Sequence, residues 1–137
     1  MKQQEVSVTV DSVVFANFND EFQVLLIKRK KEPYEAQWAL PGGFINEKED
    51  LETAAKRELK EETGLEIKTM EQVRAFGAPD RDPRGRTISI AFVCRIFEER
   101  QLKAGDDASE AIWVKVDDLP DLAFDHAEII EAARRYL

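Results

Sequence analysis

The first thirty residues alternate between apolar and polar positions, as strands do when one face of a sheet is buried. The stretches VSVTVDSVVFA at 6–16 and FQVLLIKRK at 22–30 are rich in β-branched residues, and the polar NFND at 17–20 lies between them. This arrangement predicts two strands joined by a hairpin turn. The chain is therefore expected to begin with strands.

A helical spacing of apolar residues replaces this alternation after residue 50. The apolar positions that recur at intervals of three and four are Leu51, Ala54, Ala55 and Leu59. Asp50 or a neighbour can cap the first turn, and Gly64 stands where a left-handed residue commonly ends a helix. The spacing predicts a helix over about 50–63.

The rest of the chain predicts three further strands, two loops and a final helix. The strands are expected around 66–76, 87–97 and 110–116, the loops at 77–86 and 98–109, and the helix at 125–137. A capping box is expected at the start of this helix, with Asp125 accepting from the amide of Glu128 while the Glu128 side chain reaches back. The order of elements favours an α/β fold, a mixed sheet covered by helices as an α/β/α sandwich.

Length and composition predict one globular domain over 1–137. The chain has 137 residues, of which 43% are hydrophobic and 35% charged, and it contains no internal repeat or low-complexity tract. Its first residues do not contain the apolar segment typical of a secretory signal, and nowhere do 18 apolar residues run together, so a cytosolic location without membrane insertion is expected. The only cysteine, Cys94, lies in an apolar stretch and is interpreted as an inert thiol.

The net charge of −8 bears on the partners of the protein. An acidic chain gains little from counterion release, which disfavours non-specific binding to nucleic acid or to an anionic membrane. If the substrate is an anion, basic groups must therefore reverse the sign locally.

Three carboxylates are crowded onto one side of the predicted central helix. Glu58, Glu61 and Glu62 stand at positions i, i+3 and i+4, where like charges cost about 0.2 to 0.5 kcal/mol per pair. A hard divalent cation such as Mg²⁺ or Mn²⁺ removes that conflict and often binds through carboxylates together with a substrate phosphate. The alternative is a solvated acidic face on a surface helix.

The residues around these carboxylates follow one pattern, in which a glycine, five residues, a glutamate and seven residues precede RELKEETGL. This pattern resembles the signature of the Nudix hydrolases and matches it over 23 residues. The fixed positions are Gly43, Glu49, Arg57, Glu58, Leu59, Glu61, Glu62, Gly64 and Leu65.

The resemblance implies a Nudix-type sandwich and specific roles in catalysis. Glu58, Glu61 and Glu62 correspond to the catalytic metal ligands of the family, and the Gly43 carbonyl is expected to add a ligand. Glu49 and Arg57 correspond to an ion pair that orients the cluster. The glycines of PGG at 41–43 let the main chain approach a metal or phosphate closely, although a plain turn between strand and loop is the alternative.

Two other segments resemble the ADP-ribose pyrophosphatase-like branch of the family, PDRDPRGR at 79–86 and LPDLAFDHAEII at 119–130. In the first, Arg81 and Arg84 offer donors for a phosphate or for ribose hydroxyls, or they are simply solvated. In the second, Phe124 and His126 are candidates for contact with a base. The alternative explains Phe124 by helix packing and His126 by its place in a first turn.

The general base has several candidates in the sequence. Glu58 lies within the signature, while the loop AGDDASEA supplies Asp106, Asp107 and Glu110, which could deprotonate an attacking water. A connecting loop without a catalytic role is the alternative for these three.

The resemblance favours a Mg²⁺-dependent hydrolase that cleaves ADP-ribose or a related nucleotide sugar. The first rival is a nucleoside triphosphate pyrophosphatase that acts on non-standard nucleotides. The second is a ligand-sensing domain of transcriptional regulators, which carry an added DNA-binding module; because the chain ends at Leu137, we expect no such module and no nucleic-acid partner. Dimerisation is common among ADP-ribose-cleaving relatives, so a homodimer is a further expectation.

Overall fold

The computed structural model describes residues 3–18, 20–97, 104–105 and 108–137. Within these residues, seven strands form one mixed sheet and two α-helices pack against it. The strands are β1 (Ser7–Phe18), β2 (Glu21–Arg29), β3 (Trp38–Ala39), β4 (Gly42–Phe44), β5 (Glu71–Phe76), β6 (Thr87–Ile96) and β7 (Ala108–Lys115). The helices are α1 (Leu51–Thr63) and α2 (His126–Ala133), with 3₁₀ turns at Val116–Asp118 and Arg134–Tyr136.

Strand β1 organises the sheet. Along one edge it pairs with β6 in parallel over residues 7–16. Its other edge is divided, because residues 9–11 pair with β4 and residues 15–18 pair with β2, both antiparallel. Strand β2 continues beyond this contact to pair with β7 and β3. Strand β4 and the first half of β1 are therefore not paired with β2. An opening in the sheet separates them from the second half of β2.

The two helices cover opposite faces of the sheet, as the alternation in β1 shows. Val10 and Val14 point to the face that α1 covers, whereas Val13 and Phe15 point to the face of α2. The buried residues of α1 on its face are Ala54, Ala55 and Leu59, and those of α2 on the opposite face are Ile129, Ile130 and Ala133. The predicted α/β/α sandwich with a mixed sheet is confirmed.

Most element boundaries lie close to their predicted positions. Gly64 ends α1 with φ 80° and donates from its backbone to the Lys60 carbonyl at 2.9 Å. The strand expected from residue 66 begins only at Glu71. In the described part of the chain, no helix is long and apolar enough to cross a bilayer.

The predicted capping box at α2 is wrong. The Asp125 carboxylate accepts two hydrogen bonds from Arg81, at 2.9 Å from Nε and 2.6 Å from Nη2. The amide of Glu128 donates instead to the backbone carbonyl of Asp125, at 3.0 Å. Two bonds from a charged guanidinium fork are stronger than one bond from a neutral backbone amide, and a partner 44 residues away is invisible to a local pattern.

Candidate active site

The carboxylates of Glu58, Glu61 and Glu62 lie in different environments although they share one side of α1. The Glu62 residue is 3% exposed, whereas the side chains of Glu58 and Glu61 are 16% and 42% exposed. Glu62 Oε1 accepts a hydrogen bond from the backbone of Gly42 at 2.7 Å. A buried carboxylate needs such a donor, because burial without one is costly. The glycine segment, residues 41–43, therefore packs directly against the side of α1 that carries Glu58, Glu61 and Glu62.

A side chain at either position of this contact would displace a neighbouring group. An ideal Cβ on Gly43 would lie 2.8 Å from the carboxylate carbon of Glu58. On Gly42 it would lie 2.1 Å from the Val10 carbonyl oxygen and 2.5 Å from Asp11 Oδ1. The missing side chains let the backbone of β4 approach the helix and β1 more closely than any other residue allows.

Arg57 joins the acidic side of α1 to the loop before the helix. Its Nε and Nη2 donate to the two oxygens of Glu49 at 2.7 and 2.9 Å. Its Nη1 donates to Glu58 at 2.9 Å and to Glu61 at 3.1 Å. Hydrogen bonding to Glu49 raises the pKa of Arg57, and the same contact lowers the pKa of Glu49. One guanidinium thus fixes the pair that the sequence predicts and orients two further carboxylates.

The donor chemistry of this cluster suits a hard divalent cation. In the described ranges, no three carboxylate, imidazole or thiol side chains are arranged so that they alone could hold a metal ion. What the site offers is the carboxylates of Glu58, Glu61 and Glu62 beside the backbone of Gly43, where a Cβ would occupy the approach to Glu58. The residues therefore fit a cation held by carboxylate and backbone oxygens.

A small cavity of about 40 Å³ lies beside Gly43 in the opening between β1, β2 and β4. The structure brings four residues that the sequence selects for substrate contact to this cavity. They are Arg81, Arg84, Phe124 and His126. Arg29 also lines it, as does Asp11, an acidic residue of β1 that the sequence pattern does not single out. The acidic helix and the predicted binding residues thus meet at the glycine segment.

Phe124 and Arg84 form the outer wall of this cavity. The Phe124 ring lies 4.7 Å from the Tyr34 ring and 5.1 Å from the Arg29 guanidinium. Arg84 binds Asp82 and places its guanidinium 5.6 Å from the Phe124 ring. Together these groups offer aromatic faces and positive charge, which are suited to a base and a phosphate.

An open groove of about 540 Å³ continues outward from Arg84 and is lined by Pro33, Tyr34 and Pro83. Sequence reasoning missed Tyr34. The signal available for it was an aromatic residue beside a proline in the loop between β2 and β3, which predicts no more than a turn.

Arg81 and His126 direct their polar atoms at protein groups. The Arg81 side chain is 3% exposed and its guanidinium is bound to Asp125. His126 Nδ1 accepts from the backbone of Leu40 at 2.9 Å, and Nε2 lies 3.4 Å from Asp11 Oδ1. Burial lowers the pKa of His126, which keeps the imidazole neutral. Both residues line the cavity, but their polar atoms are bound to other groups of the protein.

The loop candidates for a general base have separate outcomes. Glu110 lies on β7 opposite Lys28, and its half-exposed carboxylate is 3.5 Å from the Lys28 amine. Asp106 and Asp107 lie outside the described residues. The preceding Gly105 donates from its backbone to the Glu62 carbonyl at 3.3 Å, so this part of the loop contacts the end of α1.

Buried His126 predicts a specific dependence of stability on pH. The pKa of an unfolded histidine is about 6.5, and burial lowers it in the folded protein. The stabilisation is therefore complete above pH 6.5 and is lost as the pH falls towards the folded pKa. We expect the free energy of unfolding, measured with urea, to decrease by about 1 kcal/mol between pH 7.5 and 5.5. His126→Gln should remove this decrease; an equal decrease in that variant would contradict the assignment.

Comparison with known proteins finds relatives across nearly the whole chain. The NUDIX domain family model matches residues 8–133. An ADP-ribose pyrophosphatase of Methanocaldococcus jannaschii is 45% identical over 130 residues, which cover 95% of this chain and 74% of that protein. The match therefore includes the acidic helix, the glycine segment and the cavity.

Two further relatives are a transcriptional repressor and a solved NUDIX domain. The ADPR responsive transcriptional repressor NtrR of Acinetobacter baylyi is 34% identical over 91% of this chain, which spans only 52% of the repressor. The NUDIX domain of NrtR from Shewanella oneidensis, solved as a complex with ADP ribose, is 32% identical. It superposes with a TM-score of 0.91 and covers 98% of this chain and 90% of that domain.

Proposed function

This chain belongs to the Nudix family, and we propose that it hydrolyses ADP-ribose to AMP and ribose 5-phosphate. The observation that carries the proposal is the contact between the acidic side of α1 and the glycine segment, at the edge of a cavity with aromatic and basic walls. The identity of 45% to an ADP-ribose pyrophosphatase supports the choice of substrate. The likeness to an ADP-ribose-bound domain supports it as well.

Mg²⁺ is the cation that we assign to this site, with Mn²⁺ as a substitute. Glu58, Glu61, Glu62 and the Gly43 carbonyl would hold it. When bound, such a cation neutralises phosphate charge and makes a water molecule more acidic. Arg57 keeps Glu58 and Glu61 in place through its hydrogen bonds, and Glu49 in turn holds Arg57.

The reaction adds one water molecule to the diphosphate. The water oxygen forms a bond to one phosphorus, the bridging P–O bond breaks, and the proton of the water passes to a carboxylate. We assign this base to Glu58, because it lies beside Gly43 where the cavity meets the acidic helix. Glu110 is the weaker choice, since its carboxylate faces Lys28 on the β2–β7 ladder.

The substrate contacts follow from the walls of the cavity. Arg84 and Arg29 bring positive charge to an otherwise acidic protein, and the diphosphate carries two negative charges. Phe124 and Tyr34 supply faces for stacking at the outer end. Arg81 and His126 act on the substrate through the groups that they hold.

Location in the cytosol, a homodimer and the absence of a nucleic-acid partner stay predictions.

Ligand sensing is the second candidate, and the likeness to an ADPR responsive transcriptional repressor and to a NUDIX domain complexed with ADP ribose favours it. A sensor needs the cavity, but it does not need three carboxylates that an arginine holds in place. Since the acidic helix of this chain keeps all three, we place hydrolysis first.

A panel of nucleotides separates these functions. The purified protein is incubated with Mg²⁺ and either ADP-ribose, 8-oxo-dGTP or a common nucleoside triphosphate, and the products are separated by chromatography. We expect kcat/KM for ADP-ribose to exceed the other values at least about tenfold, with AMP and ribose 5-phosphate as products. Release of pyrophosphate from triphosphates with ADP-ribose left intact would favour the first rival. Tight binding of ADP-ribose without turnover would favour a sensor.

A further inference from the structure

A buried polar cluster of Asp11, Ser89 and His126 lies behind the glycine segment. Its residues come from β1, β6 and the first turn of α2, and they are at most 6% exposed. Buried polar groups of this kind need hydrogen-bond partners within the protein, because little of their surface is exposed to water. The arrangement of their hydrogen bonds therefore determines what the cluster does.

The hydrogen bonds of the cluster fix one form of the imidazole. Leu40 donates its backbone N–H to His126 Nδ1 at 2.9 Å, so Nδ1 carries no proton. The ring is neutral because burial lowers its pKa, and its proton is therefore on Nε2, which faces Asp11 Oδ1 at 3.4 Å. The Ser89 hydroxyl donates to the other oxygen of Asp11. The imidazole thus links the carboxylate of β1 to the backbone of Leu40.

Leu40 begins the segment 40–43, which reaches the carboxylates of α1. The Pro41 carbonyl accepts from the Ser12 backbone at 2.9 Å, and Gly42 pairs with Asp11 in the β1–β4 ladder. Gly42 then donates to Glu62 Oε1 at 2.7 Å, while Gly43 lies against Glu58. A displacement of Leu40 would also move Gly42 and Gly43, because β1 lies close to Gly42 and the Glu58 side chain lies close to Gly43.

We propose that His126 is a positioning residue, which holds segment 40–43 against α1 and thereby fixes the Glu62 and Glu58 carboxylates for cation binding. The inference rests on the proposed function to the extent that a divalent cation acts at these carboxylates. The only histidine of the chain then acts without touching the substrate. Its position beside Phe124 had suggested contact with the nucleobase instead. The effect of His126 on catalysis passes through the backbone of Leu40 and Gly42.

Nuclear magnetic resonance tests the first step directly, because one histidine gives one set of imidazole signals. A long-range ¹⁵N–¹H spectrum should show the neutral form with the proton on Nε2 at pH 7. A proton on Nδ1 would contradict the hydrogen bond from Leu40 and overturn the proposal.

Variants of His126 test the link to the carboxylates. In His126→Leu the acceptor for Leu40 is lost, whereas in His126→Asn the side-chain oxygen stands near the position of Nδ1. We expect the Kd for Mn²⁺ alone, measured by water-proton relaxation, to rise about 10- to 100-fold in the leucine variant. The amide proton of Gly42 should shift upfield as its bond to Glu62 weakens. The asparagine variant should recover most of both changes.

Ile129→Val is the matched control, because Ile129 is buried in the same helix and lies against the sheet core. This variant should lose about 0.5 to 1.5 kcal/mol of stability without any change in Mn²⁺ affinity. If it weakens Mn²⁺ binding as much as His126→Leu does, general loss of stability is the cause and the proposal fails. If the leucine variant does not fold, the asparagine variant is compared with His126→Gln instead. The glutamine amide reaches the position of Nε2 rather than that of Nδ1.

Activity supplies the third measurement. With ADP-ribose, His126→Leu should lower kcat while KM stays within about threefold, since the substrate contacts remain. If the wild-type protein does not cleave ADP-ribose, the proposed function fails, but Mn²⁺ affinity and the Gly42 amide still test His126. If the wild-type protein is active and the leucine variant keeps both of those properties unchanged, the role of His126 fails alone.

Discussion

Glu62→Gln is expected to lower kcat for ADP-ribose by about 10²- to 10⁴-fold and to leave the fold intact. Glutamine keeps an oxygen that can accept from Gly42, so the contact seen at 2.7 Å between the helix and the glycine segment survives. What is lost is the negative charge that we assign to cation binding. Glu61→Gln should lower kcat within the same range, with less effect on stability because its side chain is 42% exposed.

Glu52→Gln is the matched control for these variants. Glu52 lies in the first turn of the same helix, and its carboxylate is 2.9 Å from the Lys56 amine. An ion pair of this exposed kind contributes little, so kcat should stay within about twofold of wild type. Steady-state kinetics over a range of Mg²⁺ concentrations compares these three variants with the wild type. Near-normal turnover and cation dependence in Glu62→Gln would remove Glu62 from the site.

Gly43→Ala is expected to lower kcat by about 10²-fold through displacement of a side chain rather than through loss of one. The new Cβ would lie 2.8 Å from the Glu58 carboxylate, which is the flexible end of its side chain and can move away. The free energy of unfolding should therefore change by no more than about 1 kcal/mol. A misplacement of about 1 Å at a catalytic group is enough for a 10²-fold loss of rate.

Two other glycines calibrate this result. At Gly77 a Cβ would meet only the Ile88 side chain, at an ordinary distance of 3.7 Å, so Gly77→Ala should retain normal kcat and stability. At Gly42 the Cβ would lie 2.1 Å from a backbone oxygen of β1, so Gly42→Ala should unfold readily in urea. Wild-type kcat in Gly43→Ala would show that the position of the Glu58 carboxylate does not limit the reaction.

The fold was largely predictable because its elements have strong local patterns. Helix α1 has apolar residues at helical spacing and Gly64 at its end, and β1 alternates between two buried faces. The division of β1 between β4 and β2 was not predictable, since strand pairing depends on contacts distant in sequence. That division opens the cavity, so the feature that places the site was also the one that local patterns could not show.

The candidate site was predictable where its residues lie close together in the chain. Glu58, Glu61 and Glu62 share one helix, and Arg57 meets Glu49 only eight positions away. The contribution of Asp11 was missed because an acidic residue in an alternating strand looks like a solvent-facing position. Its partners Ser89 and His126 are 78 and 115 residues away, so their pairing appears only when the sheet is formed.

The misassigned cap at α2 has the same physical origin. Asp125 in a helix first turn satisfies a local rule, but the guanidinium of Arg81 competes for it and provides two charge-assisted bonds. The sequence indicated that Arg81 is a substrate contact or a solvated loop residue, whereas its buried position depends on Asp125. The conformation of each residue depends on the other, and the two are too far apart in the sequence for one local pattern to include both.

Phosphorus NMR of ADP-ribose with the purified protein and Mg²⁺ tests the central claim most directly, because it observes the bond that is cleaved. We predict that the two coupled diphosphate signals disappear and that two phosphomonoester signals of equal intensity, from AMP and ribose 5-phosphate, replace them. Under the same conditions Glu62→Gln should leave the diphosphate signals almost unchanged, while Glu52→Gln should convert them as wild type does. Diphosphate signals that persist with folded wild-type protein and saturating Mg²⁺ would contradict the assignment of this chain as an ADP-ribose hydrolase.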